Sequence, residues 1–293
     1  MSATREEPIE IPTSWHALEA RPLPGLVMVL GATDVGKSTL VSHLAKRWAE
    51  AGHALARLDG DPGQARLGPP TTMTLEMRIS GKALCRRVFV GDVTPAGHML
   101  PLLVGAAKLV QAAREAGAET ILYDTTGLID PRQGGAHLKW SKIDLLRPSA
   151  LITLEKAREL ELILTPLRQR GWPEIIPLKA AMAARRRSIE ERRRGREAAF
   201  RCTFEGATRL VLDLRSVAVF PAANLDPNRL VALEDDRGWL VGLGRVEAWD
   251  EPLRRLSLWT PVPSLEGVRT LRVGDLLFEG RSFRHRRAAA RIA

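Results

Sequence analysis

Cysteine is scarce in this sequence: Cys85 and Cys202 are the only two among 293 residues. Two thiols cannot build a disulfide framework or a four-cysteine zinc site, so the small stapled folds are excluded. His43, His53, His98 and His137 share no metal-ligand spacing, and no structural metal is expected. No apolar run approaches the ~20 residues that a membrane-spanning helix needs. The opening stretch, MSATREEPIE, lacks the basic-then-apolar order of a signal peptide. No internal repeat is visible. These absences predict a soluble cytoplasmic protein with reduced thiols and no membrane contact.

Acidic residues are also in deficit, and the net charge is +10. The excess is not spread evenly. Residues 185–201 carry eight arginines against Glu190, Glu191 and Glu197, and the stretch from Arg281 onward adds five arginines and no acid. Those two segments account for the whole excess, which points to a polyanionic partner handled there. A solvated basic surface is the alternative, and for the tail it is equally compatible.

What is present is a change of grammar along the chain. Residues 1–24, with four prolines, read as an extended lead-in. From residue 25 apolar strands alternate with helical stretches: strands at Leu26–Leu30, Ala54–Leu58, Arg87–Val90, Thr120–Tyr123, Ala150–Leu154 and Glu174–Leu178. Helices are expected over Ser38–Glu50, Gly97–Ala116, Ala136–Leu146 and Ala157–Arg170. This alternation predicts an α/β fold, a mostly parallel sheet flanked by helices. Near residue 205 helices give way to short strands such as RLVLDL, RLVAL and RRLSLWT, the pattern of a small all-β module. The expected organisation is a lead-in (1–24), an α/β domain (25–205), a β domain (206–280) and a basic tail (281–293), with the last dozen residues mobile.

Gly31-Ala-Thr33-Asp34-Val35-Gly36-Lys37-Ser38-Thr39 contains the full P-loop pattern, directly after an apolar strand and before a helix. Glycines let successive N–H groups converge on phosphate oxygens, and the helix start adds its partial positive charge. Gly31, Thr33, Asp34, Val35, Gly36, Lys37, Ser38 and Thr39 are therefore the expected nucleotide contacts. In such a loop Lys37 reaches the β- and γ-phosphates of ATP or another NTP and Ser38 binds Mg²⁺. Two acidic sites follow at strand ends: Asp59-Gly-Asp61-Pro-Gly-Gln64 and Asp124-Thr125-Thr126-Gly127. Asp61 and Asp124 join Ser38 as candidate metal ligands, and one carboxylate would take the proton of an attacking hydroxyl.

Ser188–Phe204 reads as a helix with Ser188 as N-cap and Glu190 and Glu191 in its first turn. Arg192 and Arg196, four apart, share a face. A catalytic lid, a solvated basic helix and a backbone contact for nucleic acid all fit that pattern. Lys139 and Lys142, one turn apart, are expected to face solvent, the seven tryptophans to anchor cores or interfaces, and His98 is at most a substrate contact.

Together these blocks resemble the polynucleotide 5′-hydroxyl kinases, a family that includes the kinase component of the mRNA 3′-end cleavage factor. GATDVGKSTL is close to the family P-loop. DGDPGQ is similar to its D-x-G-Q segment through Asp61 and Gln64. VGDVTPAGH resembles its Thr-Pro-Gly block through Thr94 and Pro95, DTTG its T-x-G strand end through Thr125 and Gly127, and the arginine helix its lid, about 185–204. The resemblance, in family order over about residues 25–205, implies a P-loop NTPase fold with an Arg-rich lid helix. It implies transfer of the γ-phosphate of an NTP, with Mg²⁺, to the 5′-hydroxyl of RNA or DNA, single-stranded. Catalytic roles fall to Lys37, Asp61 as general base, Arg192 and Arg196. Gln64, Thr94, Thr125, Thr126, Gly127 and Arg193 would hold the strand end.

The chain departs from the eukaryotic pattern at Leu128, where those members carry a tryptophan that stacks on a base, a contact worth roughly 1–3 kcal/mol. About 24 residues precede the first strand, where those members carry an N-terminal β domain. The rival readings are an RNA-processing scaffold that binds nucleotide without turnover, and a switch-type NTPase for which Asp124-Thr-Thr-Gly127 would be the D-x-x-G element.

Overall fold

The computed structural model describes residues 11–79, 82–180, 185–221, 224–280 and 282–288. After a short helix α1 (Thr13–Glu19) comes β1 (Gly25–Gly31), buried at every position but its first. Helix α2 (Lys37–Glu50), β2 (Leu55–Gly60), β3 (Thr72–Ile79), β4 (Lys82–Phe89) and α3 (Met99–Glu115) follow. Then come β5 (Thr120–Thr125), α4 (Gly135–Leu146), β6 (Ala150–Glu155), α5 (Glu161–Arg170), β7 (Glu174–Lys179) and α6 (Ile189–Thr203). The first sheet has the order β4-β3-β2-β5-β1-β6-β7. Its centre is parallel, with Val27 of β1 opposite Leu122 on one side and Ala150 on the other. Strands covered on both faces need continuous apolar runs, which is why LVMVL, TILY and ALITL were legible. Leu40, Val41, Leu44 and Trp48 of α2 bury against Val27, Val29 and Ile152 in one core.

Three expectations fail locally. The lead-in is helical over Thr13–Glu19: Pro12 supplies an extended entry, and Trp15 and Leu18, one turn apart, bury their side chains. Trp48 Nε1 donates to Leu18 O at 3.0 Å, fixing α1 on α2. Seven residues carry too few turns for a helical period to show. Residues 1–10 of that lead-in lie outside the described residues. The helix expected from Ala157 starts only at Glu161. Glu159 accepts the N–H of Ala157 at 2.7 Å and Glu155 that of Leu160 at 2.9 Å, so side chains hold this stretch as a turn. Strand β3 is absent from the expected elements, although Met73, Leu75 and Met77, all buried, alternate with Thr74, Glu76 and Arg78 as a half-buried strand requires.

The β module contains β8 (Thr208–Asp213), β9 (Ala218–Phe220), β10 (Arg229–Glu234), β11 (Leu240–Asp250), β12 (Arg255–Thr260), β13 (Thr270–Phe278) and β14 (His285–Arg287). Their order is β14-β13-β10-β11-β12-β8, antiparallel throughout, and β9 adds to β13 in parallel. Strand β13 was missed because Gly274 interrupts it. A Cβ there would lie 2.8 Å from the Phe89 ring and 3.1 Å from two carbonyl oxygens, so only glycine fits. Residues His285–Arg287, within the tail expected to be mobile, form β14 on the free edge of β13. Arg281 and residues 289–293 of that tail lie outside the described residues. Phe200 and Phe204 of α6 pack with Phe278, Phe283 and Leu230, which anchors the arginine helix by its C-terminal half.

The chain forms two compact units. One draws on residues up to Arg57, Met77–Lys82 and Ala113–Arg187; the other on Leu58–Glu76, Ala83–Ala112 and the chain from Ser188. Among the described residues no helix is long and apolar enough to cross a membrane.

Candidate active site

In the first unit the P-loop turns from β1 into α2. Gly36 takes a left-handed conformation, φ 98°, and no side chain caps the helix, so the first N–H groups of α2 are offered to an anion. A Cβ on Gly31 would stand 2.6 Å from Leu154 O and 2.7 Å from a Val35 methyl. Val35 itself is buried in the core, so it shapes the loop from behind. Lys37, 7% exposed, folds back and donates to Ala32 O at 2.6 Å. Ser38 and Thr39 are partly exposed at the helix start, and Thr33 is exposed. Asp34 sits at φ 59°, and its carboxylate accepts the Arg187 N–H at 3.0 Å and its Nε at 3.2 Å. Arg187, which the sequence did not single out for a role of its own, thus fixes the Asp34 corner of the cradle.

The end of β5 packs against the same loop. Gly127 is required because a Cβ there would lie 2.7 Å from Thr33 Cα. Asp124 is buried at the strand end. Thr125 and Thr126 are also buried, and Thr125 Oγ1 donates to Val29 O at 2.7 Å. Lys139 and Lys142, expected in solvent, are fully buried. Lys139 Nζ donates to Thr126 O at 2.5 Å and to Thr125 Oγ1 at 2.9 Å. Lys142 Nζ donates to the Tyr123 hydroxyl at 2.5 Å. Leu138, Ile143 and Leu146 bury this face of α4, and the polar groups of β5 make it tolerable for ammonium groups. The clue in the sequence was the lone Tyr123 and, after Asp124, the pair Thr125-Thr126 at the end of the strand before α4.

The second unit holds the other half of the predicted residues. Asp59 builds the loop after β2: one carboxylate oxygen accepts Asp61 N, the other Arg66 N at 2.5 Å and Leu67 N at 3.0 Å. Asp61 Oδ1 accepts Gly63 N at 2.9 Å and Gln64 N at 3.1 Å, while its Oδ2 has no hydrogen-bond partner among the described residues. A Cβ on Gly63 would fall 2.2 Å from Val93 O, so the Asp61 loop presses on the Thr94 loop. Thr94 donates its N–H to Asp92 Oδ1 at 3.0 Å, and Asp92 is 1% exposed.

Helix α6 starts at the expected N-cap, Ser188, which forms a capping box with Glu191: Glu191 N donates to Ser188 Oγ at 3.0 Å, and Ser188 N to Glu191 at 2.7 Å. Arg193, expected on substrate, pairs with Glu190 on its own helix at 2.6 Å. Arg192 and Arg196 are part-buried. Burial pushes the Arg196 guanidinium below its ordinary range, the neighbouring Arg192 adds to this, and Asp61, Asp92 and Glu197 oppose it. The guanidinium stays charged at neutral pH. Its Nε is buried with no hydrogen-bond partner among the described residues. Arg196 is thus a part-buried cation with an unpartnered Nε in the electrostatic field of Asp61 and Asp92.

Residues 31–206 match the model of the mRNA cleavage and polyadenylation factor CLP1 P-loop family. The chain belongs to this family. Within it, a polyribonucleotide 5′-hydroxyl-kinase of Pyrococcus furiosus is 31% identical over 86% of this chain and 87% of its own length. The polyribonucleotide 5′-hydroxyl-kinase of Pyrococcus abyssi is 30% identical over 78% of this chain and 66% of its own. The solved Clp1p of a Clp1p–Pcf11p complex superposes with a TM-score of 0.67 over 90% of this chain and 77% of that one, at 12% identity. That likeness establishes the Clp1 fold. For this Clp1-family chain, nucleoside triphosphate binding by the P-loop follows from motif, backbone geometry and family alike.

Proposed function

We propose that this protein is a polynucleotide 5′-hydroxyl kinase that transfers the γ-phosphoryl group of an NTP to the 5′ end of RNA. The observation that carries the reading is the part-buried Arg196, its Nε unsatisfied, in the field of Asp61 and Asp92. A switch-type NTPase has no need of an arginine helix, and a scaffold has no need of an acceptor held beside it. The names of the relatives at 30–31% identity agree with the reading.

In this mechanism the strand's 5′-oxygen attacks the γ-phosphorus, the new P–O bond forms in line, and the bridging oxygen leaves with the nucleoside diphosphate. Asp61 Oδ2 accepts the hydroxyl proton, with Oδ1 fixed by the loop N–H groups. Lys37 and the P-loop N–H groups hold the β- and γ-phosphates. Arg192 and Arg196 neutralise the charge spread over the transferring group. Ser38, Asp61 and Asp124 offer oxygen donors of the kind Mg²⁺ prefers, and the ion, when bound, supplies charge neutralisation on the phosphates. Gln64 and Thr94 hold the strand end in this reading, Arg193 being paired with Glu190 on its own helix, and the buried Thr125 and Thr126 keep the β5 terminus rigid. The protein acts in the cytoplasm on single-stranded ends, with DNA as an alternative acceptor.

The test is transfer of label from γ-labelled ATP or GTP to 5′-hydroxyl RNA and DNA oligonucleotides with Mg²⁺. Wild type labels the strands; Lys37→Ala and Asp61→Ala lose transfer, the latter by about 10²–10⁴-fold. Wild-type activity in Asp61→Ala overturns its role as base. Phosphate release indifferent to oligonucleotide replaces the kinase reading with a switch NTPase, and bound nucleotide without turnover replaces it with a scaffold.

A further inference from the structure

The loop that carries Thr94 is held by the C-terminal β module. Asp92, 1% exposed, receives the Arg287 Nε on Oδ2 at 2.5 Å while its Oδ1 takes the Thr94 N–H at 3.0 Å. Arg287 Nη2 reaches Ala96 O at 3.2 Å. His98, at the far end of the loop, hydrogen-bonds Asp275 of β13 at 3.0 Å. Backbone stitches run alongside: Asp275 N donates to Gly91 O, and Ala288 N to Asp275 O, each at 2.8 Å.

Asp92, His98 and Asp275 lie close enough together to be taken for a cation site. Arg287 sits on Asp92, however, and Arg229 approaches Asp275 at 3.5 Å. Each carboxylate already has a guanidinium counter-charge, so the cluster is neutral without a metal ion and works as a clamp. Arg287 itself is half-exposed, which screens the pair, yet its carboxylate partner is buried. Removing the guanidinium would therefore leave the buried Asp92 without its hydrogen-bonded counter-charge, with only the field of Arg196 opposing it, and Asp92 would shift or take up water. Either response moves the acceptor that fixes Thr94.

We propose that Arg287 is a positioning residue for polynucleotide binding: through Asp92 and Ala96 it holds the 92–98 loop in the shape that presents Thr94 to the 5′ end. This rests on the kinase reading. It gives the β module a task in holding the polynucleotide.

The experiment compares full-length wild type with Arg287→Ala and Arg287→Lys by two independent readouts. The first is hydrogen exchange of peptides covering residues 92–98, which needs no activity. The second is steady-state transfer with oligonucleotide and NTP varied separately. Arg287→Ala is expected to speed exchange in the loop and raise the oligonucleotide KM, each about tenfold, the scale of one lost charge-assisted hydrogen bond. The NTP KM and kcat should stay within about twofold. Lysine keeps the charge but not the fork, and should recover part of both effects. Faster exchange with an unchanged oligonucleotide KM overturns the proposal, as does unchanged exchange. If Arg287→Ala does not fold, Arg287→Lys decides alone, since a wild-type KM and exchange rate in it would overturn the need for the two-pronged contact. Absence of transfer in wild type removes the kinase reading, and the substrate role of Arg287 with it, while the exchange data still judge the clamp.

Discussion

Gly127→Ala tests whether the close approach between the β5 terminus and the P-loop is functional. Gly127 does not adopt a left-handed φ, so conformational freedom is not the reason for glycine there. The reason is space: an added Cβ would lie 2.4 Å from Thr33 Oγ1, 2.7 Å from Thr33 Cα and 2.8 Å from Thr33 N. The hydroxyl can rotate away, but the backbone cannot. Restoring an ordinary contact of about 3.4 Å demands a displacement of roughly 0.7 Å in the loop that cradles phosphate. Overpacking of this kind costs about 1–3 kcal/mol, and misplacement on the order of 1 Å can cost 10²-fold in rate. The expected result is nucleotide affinity lowered by roughly 10–100-fold in a fluorescent-nucleotide titration, with transfer reduced at saturating nucleotide. Adding Thr33→Ala should not rescue the variant, because the backbone clash survives it. Gly127→Ala with affinity within about twofold of wild type and undiminished transfer would refute the reasoning.

Replacing Lys139 by methionine should destabilise the fold by about 2–4 kcal/mol in urea titrations, because buried Thr125 and Thr126 acceptors lose an ammonium donor; a loss below about 0.5 kcal/mol would contradict it. Gly195 lies inside α6 with nothing within 4 Å of an added Cβ, and without a positive φ. Gly195→Ala should therefore stabilise the protein by about 0.4–1 kcal/mol in thermal melts, and a lower melting temperature would show that the helix needs its glycine. Hydrogen bonding from His43, and less from His16, holds the Glu19 carboxyl down at about 2 against an ordinary 4.5. A depressed carboxylate contributes stability above its unfolded value and loses it as pH falls from 4.5 towards 2. Melting temperatures of wild type and Glu19→Gln should thus converge across that window, and parallel curves would exclude the linkage.

What could be read from the sequence, and what could not, divides along a physical line. The P-loop, the capping box of Ser188 and Glu191, and the apolar runs of β1, β5 and β6 are local backbone devices. Each needs only residues a few positions apart, so spacing reveals it. Lys139 and Lys142 misled because a lysine's environment is a tertiary matter: their acceptors are on β5, and nothing in the i, i+3 spacing of α4 names them. The Asp92–Arg287 pair joins residues 195 positions apart and has no local signature at all. Strands β3 and β13 stand apart from these. The period-two pattern of β3, Met73, Leu75 and Met77 alternating with Thr74, Glu76 and Arg78, was overlooked, whereas that of β13 is interrupted by Gly274, and only the packing of Phe89 shows why a glycine must be there. The candidate site mixes these kinds. Groups that meet phosphate are set by motif, whereas those that hold the motifs in place, Arg187 on Asp34, Lys139 on Thr126 and Arg287 on Asp92, are set by the fold. Each of the three is a cation on a loop or strand end that carries a motif residue. Substitutions there should therefore alter how well a substrate is held before they alter the chemistry performed on it.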